Sequence, residues 1–259
     1  MVKYVCGYMR LLAFIIISLS LVACGNKLSN QNLPESSGSM IELTSGFPGV
    51  GMVILPEGNG ICTGTFVSDR AVLTAAHCLN LSGRYSFETS QGTISTYTKF
   101  VMGSGSVDDA NDIGILVFEP NSASGDQINN FGNQVSEGQI LRLVGIGCNN
   151  LETKRGAGLK RTGTNMVAGI DSYINFLTPR SYARGILGPS NRAGSCFGDS
   201  GGPAFAEVNG ELVIVGVTHA GGYIGNNIIS EYINVANRSD NRNWLRDRNN
   251  QNNLGIQGL

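Results

Sequence analysis

Gly198-Asp199-Ser200-Gly201-Gly202-Pro203 is the run that most constrains this 259-residue chain. Glycine on both sides of Ser200 frees the backbone for a tight turn of partly positive φ and leaves no Cβ atoms to hold a bound molecule off the main chain. In such a turn the N–H groups of Gly198 and Ser200 converge on one point, a site for a negative oxygen. A serine hydroxyl is a weak nucleophile at neutral pH and needs an imidazole within hydrogen-bond reach. Far upstream, Thr74-Ala75-Ala76-His77-Cys78 supplies one, directly after the apolar run Ala71-Val72-Leu73. The plain alternative is a Gly-rich turn with an ordinary serine, and the pairing of this six-residue string with Ala-Ala-His-Cys argues against it.

Together the two motifs resemble those of the chymotrypsin and trypsin family of serine endopeptidases, over about residues 41–248. The resemblance implies Ser200 as nucleophile, His77 as its base, the Gly198 and Ser200 amides as oxyanion hole, and an aspartate between the two motifs. Asn111-Asp112-Ile113-Gly114-Ile115-Leu116-Val117-Phe118 resembles the family's Asp-Ile-Ala-Leu strand start and selects Asp112. Asp108, Asp109, Glu119 and Asp126 lack the apolar strand that would fix them behind an imidazole. An α/β-hydrolase esterase would need the order Ser, acid, His, which is reversed here. A catalytically silent lipoprotein using the same fold as a protein-binding module is the competing class, and the presence of all three residues favours the peptidase.

The fold expected from the resemblance is all-β: two six-stranded antiparallel barrels, residues 41–138 and 139–238, and a short helix over 239–248. Sparse charge, at 14% of residues, and 36 glycines suit such a turn-rich chain. Strand-like runs fall at 50–55, 61–67, 70–74, 94–102 and 112–118, then at 139–146, 162–170, 173–177, 203–208, 212–218 and 232–235. Ser239 is the expected N-cap of the helix, and the polar tail 249–259 is expected to be disordered.

Residues 1–23 read as an export signal, with Lys3 and Arg10 ahead of an apolar stretch too short for a membrane span. Leu21-Val22-Ala23-Cys24 resembles a bacterial lipobox, which makes Cys24 a lipidated first residue and 24–40 a flexible tether. Partners are then protein or peptide substrates, and the membrane through the Cys24 lipid. The expected location is the cell envelope, at the outer membrane if the host is Gram-negative, or outside the cell after release. Without the signal the chain carries 16 basic and 19 acidic residues, a balance that gives no electrostatic footprint for nucleic acid. No cofactor is expected. Histidine and cysteine are too few and wrongly spaced for a structural zinc site. Cys62, Cys78, Cys148 and Cys196 remain as an even set. The resemblance implies a Cys62–Cys78 bridge, which leaves Cys148 to Cys196, a pairing that departs from the family.

The resemblance places the primary pocket at Gly194, Phe197, His219, Gly221 and Ser230. Gly194 stands where an aspartate would select Arg or Lys, so cleavage after basic residues is disfavoured. His219 is either a structural strand histidine or a pocket residue favouring an acidic side chain. Small, apolar or acidic side chains are therefore expected before the scissile bond. Asp199 stands where the family pairs an aspartate with a newly cut N-terminus, but the usual Ile-Val-Gly-Gly is missing. Either cleavage before Ile41 supplies that terminus, or Asp199 has an internal partner.

Overall fold

In a computed structural model of the chain the described residues are 41–42, 45–123, 128–180 and 192–259, with backbone alone at 41–42. The export signal, Cys24, the tether and Asp126 lie outside them. Among the described residues fourteen strands and one α-helix are formed, in two antiparallel sheets.

The first sheet contains β2 (Val50–Ile54), β3 (Ile61–Phe66), β4 (Ala71–Thr74), β5 (Tyr85–Thr89), β6 (Gly92–Thr96), β7 (Thr98–Val101) and β8 (Gly114–Val117), in the order β6-β5-β2-β3-β4-β8-β7. Among the described residues it is an open half-barrel of seven strands, and corrects the expected closed six-stranded barrel. The expected strand 94–102 breaks at Tyr97 into β6 and β7, and β5 was not foreseen because Tyr85-Ser86-Phe87-Glu88-Thr89 is short and polar at alternate positions. That alternation puts Tyr85 and Phe87 fully inside.

The second sheet contains β1 (Ile41–Glu42), β9 (Ile140–Gly145), β10 (Arg161–Ile170), β11 (Tyr173–Pro179), β12 (Pro203–Val208), β13 (Glu211–Ile224) and β14 (Asn227–Asn234). Its order is β1-β10-β11-β14-β13-β12-β9, and β9 also pairs with β10, so six strands close a barrel with β1 added outside. β11 has period 2: Ile174, Phe176 and Thr178 point inward and are buried, while the residues between them are not. β13 carries a bulge, since Thr218 faces Tyr232 and Ala220 faces Glu231, leaving His219 as the extra residue.

Each sheet has its own apolar interior, and a third cluster joins them. Val50, Leu73 and Ile115 of the first sheet meet Val144, Phe205, Val217 and Ile233 of the second. Leu245 of α1 (Ser239–Asn252), Leu254 and Ile256 pack into this same cluster. The terminal residues are therefore ordered, against expectation. Polar composition misled because two alternate apolar residues anchor the tail, while Asn249 donates to Ile256 O at 3.0 Å and accepts from Ile256 N at 2.9 Å. Arg242 donates to Gly258 O at 3.0 Å. The helix begins at Ser239 with Arg238 as N-cap, so the expected serine cap is not formed.

Candidate active site

β4 ends at Thr74, and Ala76–Leu79 wind into one 3-10 turn that presents His77 with 17% of its side chain exposed. Asp112 lies just ahead of β8 and is fully buried. The backbone N–H of His77 donates to Asp112 Oδ1 at 2.7 Å, and His77 Nδ1 lies 2.6 Å from Asp112 Oδ2. His219 Nδ1 lies 2.7 Å from that same oxygen. The carboxylate accepts, so both ring nitrogens donate. Burial pushes the Asp112 carboxyl up, and hydrogen bonds from His219 and His77 more than offset it, holding it below the usual carboxylate range. Only two histidines occur in the chain, and both serve this carboxylate.

The Ser200 loop is clamped to the first sheet. Thr63 N–H donates to Ser200 O at 2.8 Å, and Thr63 Oγ1 donates to Gly198 O at 2.9 Å while accepting from Ile146 N at 3.1 Å. Gly201 has φ +84°, and a Cβ there would lie 2.1 Å from Thr74 Oγ1 and 2.8 Å from Ala75 N, so only glycine lets this turn rest on the segment leading to His77. Gly198 has φ +97°. The amides of Asp199, Gly201 and Gly202 donate to Cys196 O, Thr218 O and Asp199 O, whereas those of Gly198 and Ser200 have no acceptor among the described residues.

Asp199 is buried, and its carboxylate accepts from Gly147 N at 2.7 Å and Cys196 N at 2.8 Å. Side chains at Gly145 or Gly147 would collide with it. Burial pushes its carboxyl up to about 6, against the lowering effect of the two amides and of Arg161. Arg161 in turn donates to Gly147 O at 2.8 Å and Gly156 O at 2.7 Å. Ile41 is placed in β1 opposite Thr162.

His77, Ser200 and His219 line a cavity of about 300 Å³, with Val107, Leu151, Phe197 and Ile228 as its apolar wall. A smaller cavity behind it, of about 20 Å³, reaches Gly194 and Thr178, and Ile228 lines both. Ser230 is buried and accepts from Ser195 N at 2.9 Å; Thr178 Oγ1 would lie 3.1 Å from a Cβ at Gly194. No aspartate, glutamate, lysine or arginine lines either cavity among the described residues. Gly221 lies on the wall of the larger one, and Phe197 is 56% exposed beneath the Lys154 ammonium.

Cys62 pairs with Cys78 and Cys148 with Cys196, the two bridges expected. Among the described residues, two groups of metal-ligating atoms lie within 4.8 Å of one another: Cys62, His77 and Cys78, whose sulfurs are spent in the bridge, and His77, Asp112 and His219. In the second, separations of 2.6 and 2.7 Å are those of N–H···O bonds, whereas tetrahedral zinc spreads its ligand atoms to about 3.4 Å.

The family model for trypsin matches residues 42–245. The chain belongs to the trypsin family. Two solved structures are similar to this trypsin-family chain. One is a Glu endopeptidase in complex with MPD, at 14% identity and TM-score 0.59, covering 81% of this chain and 97% of that one. The other is a scabies mite inactivated protease paralogue, at 15% identity and TM-score 0.61, covering 85% and 99%. At these identities the likeness is one of fold. No curated protein matches the chain in sequence.

Sequence reasoning missed Thr63, Gly147 and the role of His219. Thr63 and Gly147 act through backbone contacts that carry no motif. For His219 the signal lay in its rarity: a chain with two histidines places the second on strand β13, which borders the cleft.

Proposed function

We propose that the chain is a serine endopeptidase acting through Ser200, His77 and Asp112. The observation that carries this reading is the His77–Asp112 pair, bonded at both backbone and ring, with His77 and Ser200 on one cavity beside two unspent amides. Asp112 holds His77 in the tautomer with Nδ1 protonated, which leaves Nε2 free to take the Ser200 proton. Ser200 Oγ then attacks the substrate carbonyl carbon, and the oxygen that becomes negative faces the Gly198 and Ser200 amides. As the C–N bond breaks, His77 returns the proton to the departing amine and an acyl-Ser200 ester remains. Water repeats the sequence: His77 takes its proton, the hydroxide oxygen adds to the ester carbonyl, and Ser200 leaves reprotonated.

The substrate side chain before the scissile bond is small or apolar in this reading. Ile228 and Thr178 make the pocket shallow, and among the described residues no carboxylate meets a basic side chain there. His219 offers an acidic side chain only its Nε2, because its Nδ1 is committed to Asp112. Asp199 is held by internal donors, which supports a chain active without a cut before Ile41. Two disulfides and the export signal favour a location outside the cytoplasm, with Cys24 as lipid anchor. Among the described residues no helix is long and apolar enough to cross a membrane.

Cleavage of a peptide library tests the specificity: products ending in small or apolar residues are expected, and a strict Arg/Lys preference contradicts the pocket reading. Purified chain that cleaves nothing and fails to label at Ser200 would instead fit a binding module.

A further inference from the structure

From Cys196 to Ser200 the backbone carbonyls are held from different sides. Asp199 N–H donates to Cys196 O at 3.0 Å, Thr63 Oγ1 to Gly198 O at 2.9 Å, Gly202 N–H to Asp199 O at 2.8 Å and Thr63 N–H to Ser200 O at 2.8 Å. For Phe197 O the donor among the described residues is the Cys148 amide, at 2.9 Å. A peptide is planar and trans, so a carbonyl turned to Cys148 sends the Gly198 N–H to the opposite side. There it has no acceptor among the described residues. Little else fixes that plane. A half-turn would carry Gly198 from φ +97° to about −80°, which glycine adopts as readily. Phe197 is 56% exposed, so burial of its side chain does not resist the turn.

The Cys148 amide is itself outside any strand ladder. β9 ends at Gly145 and β10 begins at Arg161, and the turns between them bond largely to one another, with Asn149 N–H donating to Arg155 O and Lys154 N–H to Asn150 O. On its other side Gly147 N–H reaches Asp199 Oδ1. What joins Cys148 to the Ser200 loop covalently is the disulfide to Cys196, 48 positions on and directly before Phe197. Bridge and hydrogen bond together close a short ring around the Cys196–Phe197 backbone.

We propose that the Cys148–Cys196 bridge is a positioning device for the oxyanion hole: it keeps the Cys148 amide on Phe197 O, and so keeps the Gly198 N–H turned to the oxygen that becomes negative. This rests on the reading of Ser200 as nucleophile and of the Gly198 amide as one of its oxyanion donors. The competing role is support of the pocket wall, since Cys196 lines both cavities and Cys148 the smaller one.

Cys148→Ala/Cys196→Ala removes the bridge and keeps the amide at position 148. Peptide hydrolysis is compared with inhibition by a peptide aldehyde, whose adduct with Ser200 carries an oxyanion, and by the matching peptide alcohol, which fills the pocket without one. The expected result is a fall in kcat of about 10- to 100-fold, an aldehyde weakened by the same factor, and KM and alcohol affinity within about threefold of wild type. Wild-type turnover, or an alcohol weakened as much as the aldehyde, overturns the proposal. Where the double variant does not fold, dithiothreitol opens the bridge in the folded wild-type chain. Its two thiols close to a cyclic disulfide as Cys148 and Cys196 each gain an electron and a proton; alkylation and mass mapping score the opened cysteines. The same inhibition pattern is then required, and must reverse on reoxidation. Fluorophosphonate labelling of the wild-type chain is scored first, since its failure counts against the peptidase reading and not against this one. In that event hydrogen exchange carries the test: the amide at position 148 must exchange at least about tenfold faster without the bridge, and equal protection overturns the proposal.

Discussion

Thr63→Val is the substitution that most cleanly asks whether the first sheet holds the Ser200 loop in shape. Thr63 is fully buried, and its hydroxyl bridges the two sheets, donating to Gly198 O at 2.9 Å and accepting from Ile146 N at 3.1 Å. Valine keeps the volume and removes both bonds. The Ile146 amide then lies buried without a partner, at about 1–3 kcal/mol, and the partly exposed Gly198 carbonyl adds less. Together the loss is about 2–4 kcal/mol, a large share of the ~5–15 kcal/mol that holds a domain folded. In the proposed mechanism Gly198 supplies one oxyanion-hole amide, so loosening its carbonyl misplaces that donor. A fall in kcat of about 10- to 100-fold is expected, with KM less affected. Thr63→Ser retains both bonds and loses one methyl, about 1 kcal/mol. Urea unfolding and peptide hydrolysis read both effects. Valine at wild-type stability and turnover, or serine as damaging as valine, would refute the bridge.

Other expectations concern the buried acid, the bridge beside His77 and the turn at Gly201. The Asp199 carboxyl is raised from 3.8 to about 6 in the folded chain, so between about pH 4 and 6 the folded state keeps a proton that the unfolded chain has released. Its contribution to stability is thus full below about pH 4 and is lost as pH rises to about 6, a change of about 3 kcal/mol; Asp199→Asn should flatten that slope in urea titrations at different pH, and an unchanged slope would mean that another group titrates. Replacing Cys62 and Cys78 by alanine opens a loop closed across 16 positions and should cost about 3 kcal/mol, read as a lower unfolding midpoint. Gly201→Ala forces a Cβ to within 2.3 Å of Thr63 O at positive φ and should abolish activity before it abolishes folding, which circular dichroism and hydrolysis together can establish.

What could be read from the sequence was local. The Ser200 and His77 runs carry their geometry in consecutive residues, because glycines at 198 and 201 are required by the φ values and close approaches of the turn itself. The second barrel is implied by the resemblance, with strand-like runs marking its six strands, and the terminal helix is read from Ser239 and Asp240 although Arg238 is its N-cap. Properties of register were not legible. His219 faces Asp112 because β13 slips by one residue against β14, and nothing in Thr218-His219-Ala220 announces that bulge. Asp199 finds its donors in Gly147 and Cys196, one of which lies 52 positions away, and a backbone amide leaves no trace in composition. The terminal tail reads as polar, and only the three-dimensional cluster explains why Leu254 and Ile256 are buried.

Fluorophosphonate labelling followed by peptide mass mapping addresses the central claim most directly, because the reagent reports a serine activated by a neighbouring base. The account predicts a single adduct on Ser200, absent in Ser200→Ala and strongly reduced in His77→Ala. An intact, folded chain that takes up no label, or a label on another serine, would contradict it.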